Sequence, residues 1–161
     1  MSPERSRFAV DRVQYLAKSK TSYYPDTGNI LNLEVPQKDK FNQADLNVLN
    51  IFESSFNKLI GYIDNQDINS YVNFVVDQLF SANKYFNDQE PWKKKADLKR
   101  LNTILYVSLE LIRKITILLY PIIPESSLRV LKAFEIKENE INLNSITNNE
   151  YLKPKLKINK I

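Results

Sequence analysis

The residue types best suited to binding gather between Asn83 and Arg100. Trp92 is the only tryptophan; it follows Pro91 and precedes Lys93, Lys94 and Lys95, with Lys99 and Arg100 a turn further on. An aromatic ring among cations can stack on an unpaired base while the charged groups hold phosphates. The same residues fit a plainer arrangement, a Trp packed under a chain reversal beside solvated lysines. A lone Trp is more often core than platform. Residue chemistry by itself leaves both open.

Catalytic groups are scarce. The chain of 161 residues has no His, no Cys and two Gly. Without Cys there are no disulfides, thiol nucleophiles or thiolate metal sites. Without His the commonest general base and metal ligand are missing. Two glycines leave no G-x-G-x-x-G and no P-loop. The carboxylate pairs Asp64/Asp67 and Glu138/Glu140 fall in turns and polar tails, where capping and solvation account for them. No catalytic residue and no metal ligand is expected. What remains is a binding module or the non-catalytic part of an enzyme.

The net charge of +4 is unevenly placed. Residues 1–80 hold 8 basic and 10 acidic side chains, a net of −2; residues 81–161 hold 15 and 9, a net of +6. A basic C-terminal half favours a polyanion partner, although Lys-rich solvated surfaces are common. Arg5, Arg7 and Arg12 precede no apolar run of a secretory signal. The most apolar stretch, Ile104 to Ile123, contains Glu110, Arg113 and Lys114, which would be costly in a bilayer. A buried helix and a cytoplasmic location, with no membrane partner, are expected.

The elements that must position the 83–100 region are helical. Residues 1–41 read as a poorly defined leader: a possible helix start at Ser2-Pro3, a weak stripe of Phe8, Val13 and Leu16, and a turn over Tyr24–Asn29. From Asn42, Leu46, Leu49, Phe52, Phe56, Leu59, Ile60 and Ile63 recur at spacings of three and four and predict one helix. Asp67 caps a second helix, running to about Asp88, whose apolar face is Ile68, Val72, Val75, Val76, Leu79, Ala82 and Phe86. Asn83 falls on that face, where its amide needs partners. Pro91 stops the helix. A third helix begins near Asp97 and ends at Tyr120-Pro121, about 23 residues or roughly 35 Å. It buries Leu98, Leu101, Leu105, Ile112, Ile115 and Leu119, with Lys99, Thr103, Tyr106, Glu110 and Arg113 opposite. A short helix starts at Pro124 with Leu128, Leu131 and Phe134. The expected fold is an all-α antiparallel helix bundle over 42–135, followed by an irregular tail, 136–161, packed back on it.

The run Ser81-Ala82-Asn83-Lys84-Tyr85-Phe86-Asn87-Asp88-Gln89-Glu90-Pro91-Trp92 resembles the A-N-x-Y-x-x-x-x-x-P-W segment in the C-terminal anticodon-binding domain of methionyl-tRNA synthetases. Leu101 to Pro124 looks like the long family helix that ends in P-x-x-P. Lys153 to Ile161 looks like the approach to the family's C-terminal motif. The resemblance covers about residues 35–161. It implies a bundle of the class I synthetase anticodon-binding type that reads methionine tRNA with its CAU anticodon. It makes Trp92 and Pro91 part of the anticodon pocket, with Trp92 stacked on an unpaired base. Lys93, Lys94, Lys95, Lys99 and Arg100 are candidate phosphate contacts, and Asn83 and Tyr85 support the corner.

The sequence departs from the family in two places. No H-I-G-H-type or K-M-S-K-S-type motif is present, so the catalytic domain that would bind ATP and methionine is expected outside this chain, and no cofactor within it. The family's N-x-x-x-R pair is not reproduced in residues 1–34, where Leu33 lies four residues after Asn29. Two other readings fit the residues: a non-catalytic helical interaction or scaffold protein, and the anticodon domain of another class I synthetase, such as the leucine, isoleucine, valine or cysteine enzyme.

Overall fold

The computed structural model describes residues 34–158. The expected features at Ser2-Pro3, Phe8–Leu16 and Tyr24–Asn29, and the Asn29/Leu33 spacing, lie outside them. The described helices are α1 (Gln43–Leu49), α2 (Ile51–Ser54), α3 (Phe56–Asp64), α4 (Ile68–Gln89), α5 (Leu98–Leu119) and α6 (Pro124–Ala133). Short 3-10 turns cover Pro91–Lys93, Glu138–Glu140 and Leu143–Ile146. The fold is all-α. Among the described residues there is no strand, only an isolated bridge between Glu34 and Lys157. No helix there is long and apolar enough to cross a membrane.

Caps place the helix starts. Asn42 and Asp45 form a reciprocal capping box at α1, and the Asp67 and Asp97 carboxylates accept from the Ser70 and Arg100 amides. Each satisfies donors that the first turn leaves open. The helix expected from Asn42 to Ile63 is instead three pieces, α1 to α3, broken at Asn50 and Ser55. Asn and Ser side chains compete for backbone bonds, as the Ser54 hydroxyl does at the Ile51 carbonyl (3.1 Å). The buried line through these pieces is Asp45, Leu49, Phe52 and Leu59, whereas Ile63 is exposed.

The buried face of α4 is also rotated from the expected one. Tyr71, Val75, Gln78, Tyr85 and Phe86 are buried, and Ile68 is 62% exposed. The aromatic residues turn inward because their hydroxyls find acceptors: Tyr71 donates to the Leu118 carbonyl at 2.8 Å and Tyr85 to the Asp45 carboxylate at 2.6 Å. The Tyr71–Leu118 bond at one end and the Arg100–Gln89 bond at the other set α4 and α5 antiparallel.

Helix α5 is the centre of the bundle, packed against α1, α4, α6 and two of the 3-10 turns. Its expected polar side is not solvated. Thr103, Tyr106, Glu110 and Arg113 are buried, while Leu98, assigned inward, is 43% exposed. The segment after Ile136 covers that side. Glu110 accepts from the Leu152 amide (2.6 Å) and from Arg113 Nε (2.7 Å), and Tyr106 donates to the Leu152 carbonyl (2.8 Å). Arg113 also donates to the carbonyls of Ser145 and Asn148. Ile146 and Leu152 are buried beside these bonds. The tail then pairs with the first described residues: the Val35 amide donates to Leu156 and the Lys155 amide to Val35, both at 2.8 Å.

Lys114 is fully buried, donating to the Leu49 carbonyl (3.5 Å) and to the Asn149 side chain. Burial, then the nearby Arg113 charge, pushes its ammonium down to about 7. The unfolded chain therefore binds a proton between about pH 7 and 10.5 that the native state does not, so stability rises with pH across that window. The opposite sign applies above it. Burial raises the hydroxyls of Tyr71 (to about 12), Tyr85 and Tyr106, so the native state keeps protons that unfolded tyrosines release, and stability falls beyond pH 10. Denaturant midpoints are expected to climb from pH 7 to about 9.5 and then drop. Lys114→Met should flatten the climb, and an unchanged profile in that variant would show that Lys114 is charged in the native state.

Candidate nucleic-acid interface

The corner between α4 and α5 begins where Pro91 forbids further helix. Glu90, before it, leaves the helical region for the left-handed one (φ 44°, ψ 58°). A β or extended conformation is the usual choice before proline, and the left-handed region is unusual for a non-glycine residue. Tight bonds hold it there. The Lys93 amide donates to the Glu90 carbonyl at 2.8 Å, and the Lys93 ammonium pairs with the Glu90 carboxylate at 2.7 Å. Pro91 is buried under the turn.

Trp92 is 44% exposed. Its ring meets Phe86 in an edge contact, centroids 6.1 Å apart and planes at 61°. Phe86 is itself buried, so one part of the indole rests on the core while the rest reaches solvent.

The corner is tied to the bundle through Asp45. This carboxylate is fully buried and accepts four hydrogen bonds: from Arg100 Nη1 (2.6 Å) and Nη2 (2.8 Å), the Tyr85 hydroxyl (2.6 Å) and the Asn42 amide (3.0 Å). Burial pushes its carboxyl up, but the bonds from Arg100, Tyr85 and Asn42 outweigh that and hold it below the ordinary carboxylate range. Arg100 Nη2 also donates to Gln89 at 2.6 Å, one residue before the strained Glu90. The chain Asp45–Arg100–Gln89 thus clamps α1, the start of α5 and the end of α4 around the corner.

The structure sorts the expected site residues. Trp92, Lys94, Lys95 and Lys99 are exposed around the corner, and Lys93 is exposed but paired with Glu90. Arg100, expected to contact phosphate, is half-buried and donates to Asp45 and Gln89, the buried carboxylate taking it as a bidentate partner. Tyr85, expected to support the corner, is buried and donates its hydroxyl to Asp45. Asn83 is half-buried, and its side chain makes no hydrogen bond among the described residues. Asp45 itself escapes sequence reasoning because it reads as an ordinary capping residue. Its one visible signal is a line of buried positions at three-and-four spacing, which Asp45 shares with Leu49 and Phe52.

An antiparallel helical bundle with an aromatic-and-lysine corner matches the architecture of a synthetase anticodon-binding module. Residues 35–156 match the family described as the anticodon binding domain of methionyl tRNA ligase, and the chain belongs to that family. It is 32% identical over 99 residues to the methionine–tRNA ligase of Brucella suis, covering 61% of this chain and 19% of that protein. It is 31% identical over 111 residues to that of Mycobacterium leprae, covering 66% and 21%. The chain therefore spans about a fifth of the length of these relatives. Among solved structures, it superposes on Mycobacterium tuberculosis methionyl-tRNA synthetase bound by methionyl-adenylate with a TM-score of 0.77 at 23% identity, over 95% of this chain and 29% of that one. The free form of that enzyme gives 0.73 at 26% identity, over 93% and 32%.

Removing the Asp45 carboxylate strands a guanidinium and a phenol. Asp45→Ala is expected to cost about 3–5 kcal/mol in denaturant unfolding, the range for breaking a buried ion pair. Replacing both partners, Asp45→Leu with Arg100→Met, should cost less than the sum of the single changes, because neither charge is left unpaired. Additive losses in that cycle would show that the pair is not coupled.

Proposed function

We propose that this chain recognises the CAU anticodon of methionine tRNA, as the anticodon-binding part of a methionine–tRNA ligase. The observation that carries the reading is the half-exposed Trp92 indole, fixed at a corner that α1, α4 and α5 jointly clamp. In this reading the solvent-facing part of the ring stacks on an unpaired anticodon base. Lys94, Lys95 and Lys99, exposed around the ring, neutralise neighbouring phosphates.

Family membership supports the choice of RNA, and the P-W corner supports the choice of pocket. Aminoacylation belongs to the full ligase, whose catalytic domain holds ATP and methionine and is the protein partner of this bundle, in the cytoplasm. The chain's own part is recognition by stacking and charge. Stacking contributes affinity with little preference among bases, so discrimination of the anticodon relies on hydrogen bonds to base edges around the ring.

Because Trp92 is the single Trp, its emission reports directly on the corner. Titration with a methionine anticodon hairpin is expected to quench that emission in a saturable way. Trp92→Ala should weaken binding by about 1–3 kcal/mol, and Trp92→Phe by less, since a ring remains. Unchanged emission at saturating hairpin, or full affinity in Trp92→Ala, would sink the stacking role. Equal affinity for hairpins with unrelated anticodons would remove the methionine assignment.

A further inference from the structure

The basic excess of the C-terminal half continues beyond the corner. Lys99 and Thr103 lie four residues apart on one side of α5. The Thr103 hydroxyl accepts from the Asp39 amide at 2.9 Å, which brings Lys40 beside the turn that carries Lys99. One turn further along, Tyr106 lies 6.2 Å from the Phe41 ring and donates to the Leu152 carbonyl. Beyond Leu152, the tail pairs with Val35 and carries Lys153, Lys155 and Lys157. Lys40, Lys99, Lys153, Lys155 and Lys157 are all exposed. Lys40 and the Lys153–Lys157 stretch thus belong to the two segments that cover this side of α5, and Lys99 to the first turn of the helix itself.

The acidic residues beside this row are largely engaged. Glu150 pairs with Lys38 at 3.2 Å. Glu140 accepts from the Lys137 amide, and Asp39 from the Lys40 amide, both at 2.8 Å. The backbone of Glu34 bridges that of Lys157, which sets one acidic residue next to the row. Tyr106 is buried, and the half-buried Phe41 and Tyr151 rings are faced by Lys38 and Arg113, so the row offers charge more than stacking surface.

We propose that this row holds the sugar–phosphate backbone of the paired stem that adjoins the unpaired bases at the Trp92 corner. The inference rests on the corner reading above and extends it away from the loop. The span from the level of Lys99 to that of Glu110 is about 16 Å of helix, enough for several phosphates of one strand. Exposed lysines with little accompanying aromatic face suit backbone rather than base recognition.

The test uses the chain with two RNAs, a hairpin bearing the CAU loop on a paired stem and the unpaired loop heptamer alone, titrated over a range of salt. The variant Lys153→Gln/Lys155→Gln/Lys157→Gln should weaken hairpin binding about tenfold and lower the log–log salt slope by about 2–3, leaving the heptamer unchanged. Lys40→Gln should act in the same direction but more weakly, whereas Lys99→Gln, at the corner itself, should weaken both RNAs. Trp92→Ala should weaken both RNAs. Since the lysines are exposed, thermal midpoints should stay near that of the unaltered chain, which separates lost contacts from lost fold. A triple variant with unaltered hairpin affinity and slope would overturn the row, and so would equal weakening of both RNAs. A silent Trp92→Ala beside a weakened triple variant would overturn the corner reading while leaving the row as an RNA-backbone site.

Discussion

A carboxylate without access to water must find partners for its oxygens, and Asp45 finds four donors on three segments of chain. Its burial imposes the rest of the geometry around the corner. Arg100 must lie within reach, so the first turn of α5 faces α1. Tyr85 must present its hydroxyl, so α4 rotates its aromatic residues inward. Gln89 then meets the remaining guanidinium donor and fixes the last residue of α4 before the left-handed Glu90. Such a pair adds little net stability over an apolar alternative, yet breaking it is expensive. Its role here is to fix one arrangement of three helices.

A second buried network does for the C-terminal segment what Asp45 does for the corner. Glu110 and Arg113 stand one turn apart on α5 and bond each other and the backbone of residues 145–152, with Glu110 also accepting from the Tyr106 hydroxyl. A segment with little regular structure exposes amides and carbonyls that need partners. The side chains of α5 supply them, so the tail folds on the helix without a ladder of its own. Both networks take an Arg from α5, so that one helix joins the corner to the C-terminal segment.

Much of the fold is legible in the residues. The caps at Asp67 and Asp97, the stop at Pro91 and the start at Pro124 are local devices, and the structure places helix ends beside each of them. The helix faces are less legible, because the helical period reads apolar type and not the partner that a polar tip meets. Tyr71 and Tyr85 displace Ile68 from the expected buried face because a carbonyl and a carboxylate await their hydroxyls. Thr103, Tyr106, Glu110 and Arg113 look like a solvated face until a distant segment folds over them. The break of the first expected helix at Asn50 and Ser55 is hidden for a similar reason, since apolar spacing persists across both positions. In the site, Trp92 and its lysines are visible as types, whereas the engagement of Arg100 depends on Asp45, fifty-five residues away.

The division between rigid and mobile parts at the corner bears on how such a small surface can bind. Ordering a flexible ring and its support on binding would consume much of what one stacking contact contributes. Here the support is ordered beforehand. Pro91 is buried, Glu90 is held by Lys93, Phe86 backs the indole, and Arg100 joins Gln89 to the core. The remaining lysines stand outward on flexible stems, where their charges act at a distance and lose little freedom in doing so. An Arg at the rim would bind phosphate in a more directional way; Arg100, which begins α5 beside the corner, is part of the frame instead. The corner thus separates positioning, carried by buried groups with fixed partners, from attraction, carried by exposed charges. Directional contact is left to the one ring that the frame holds in place.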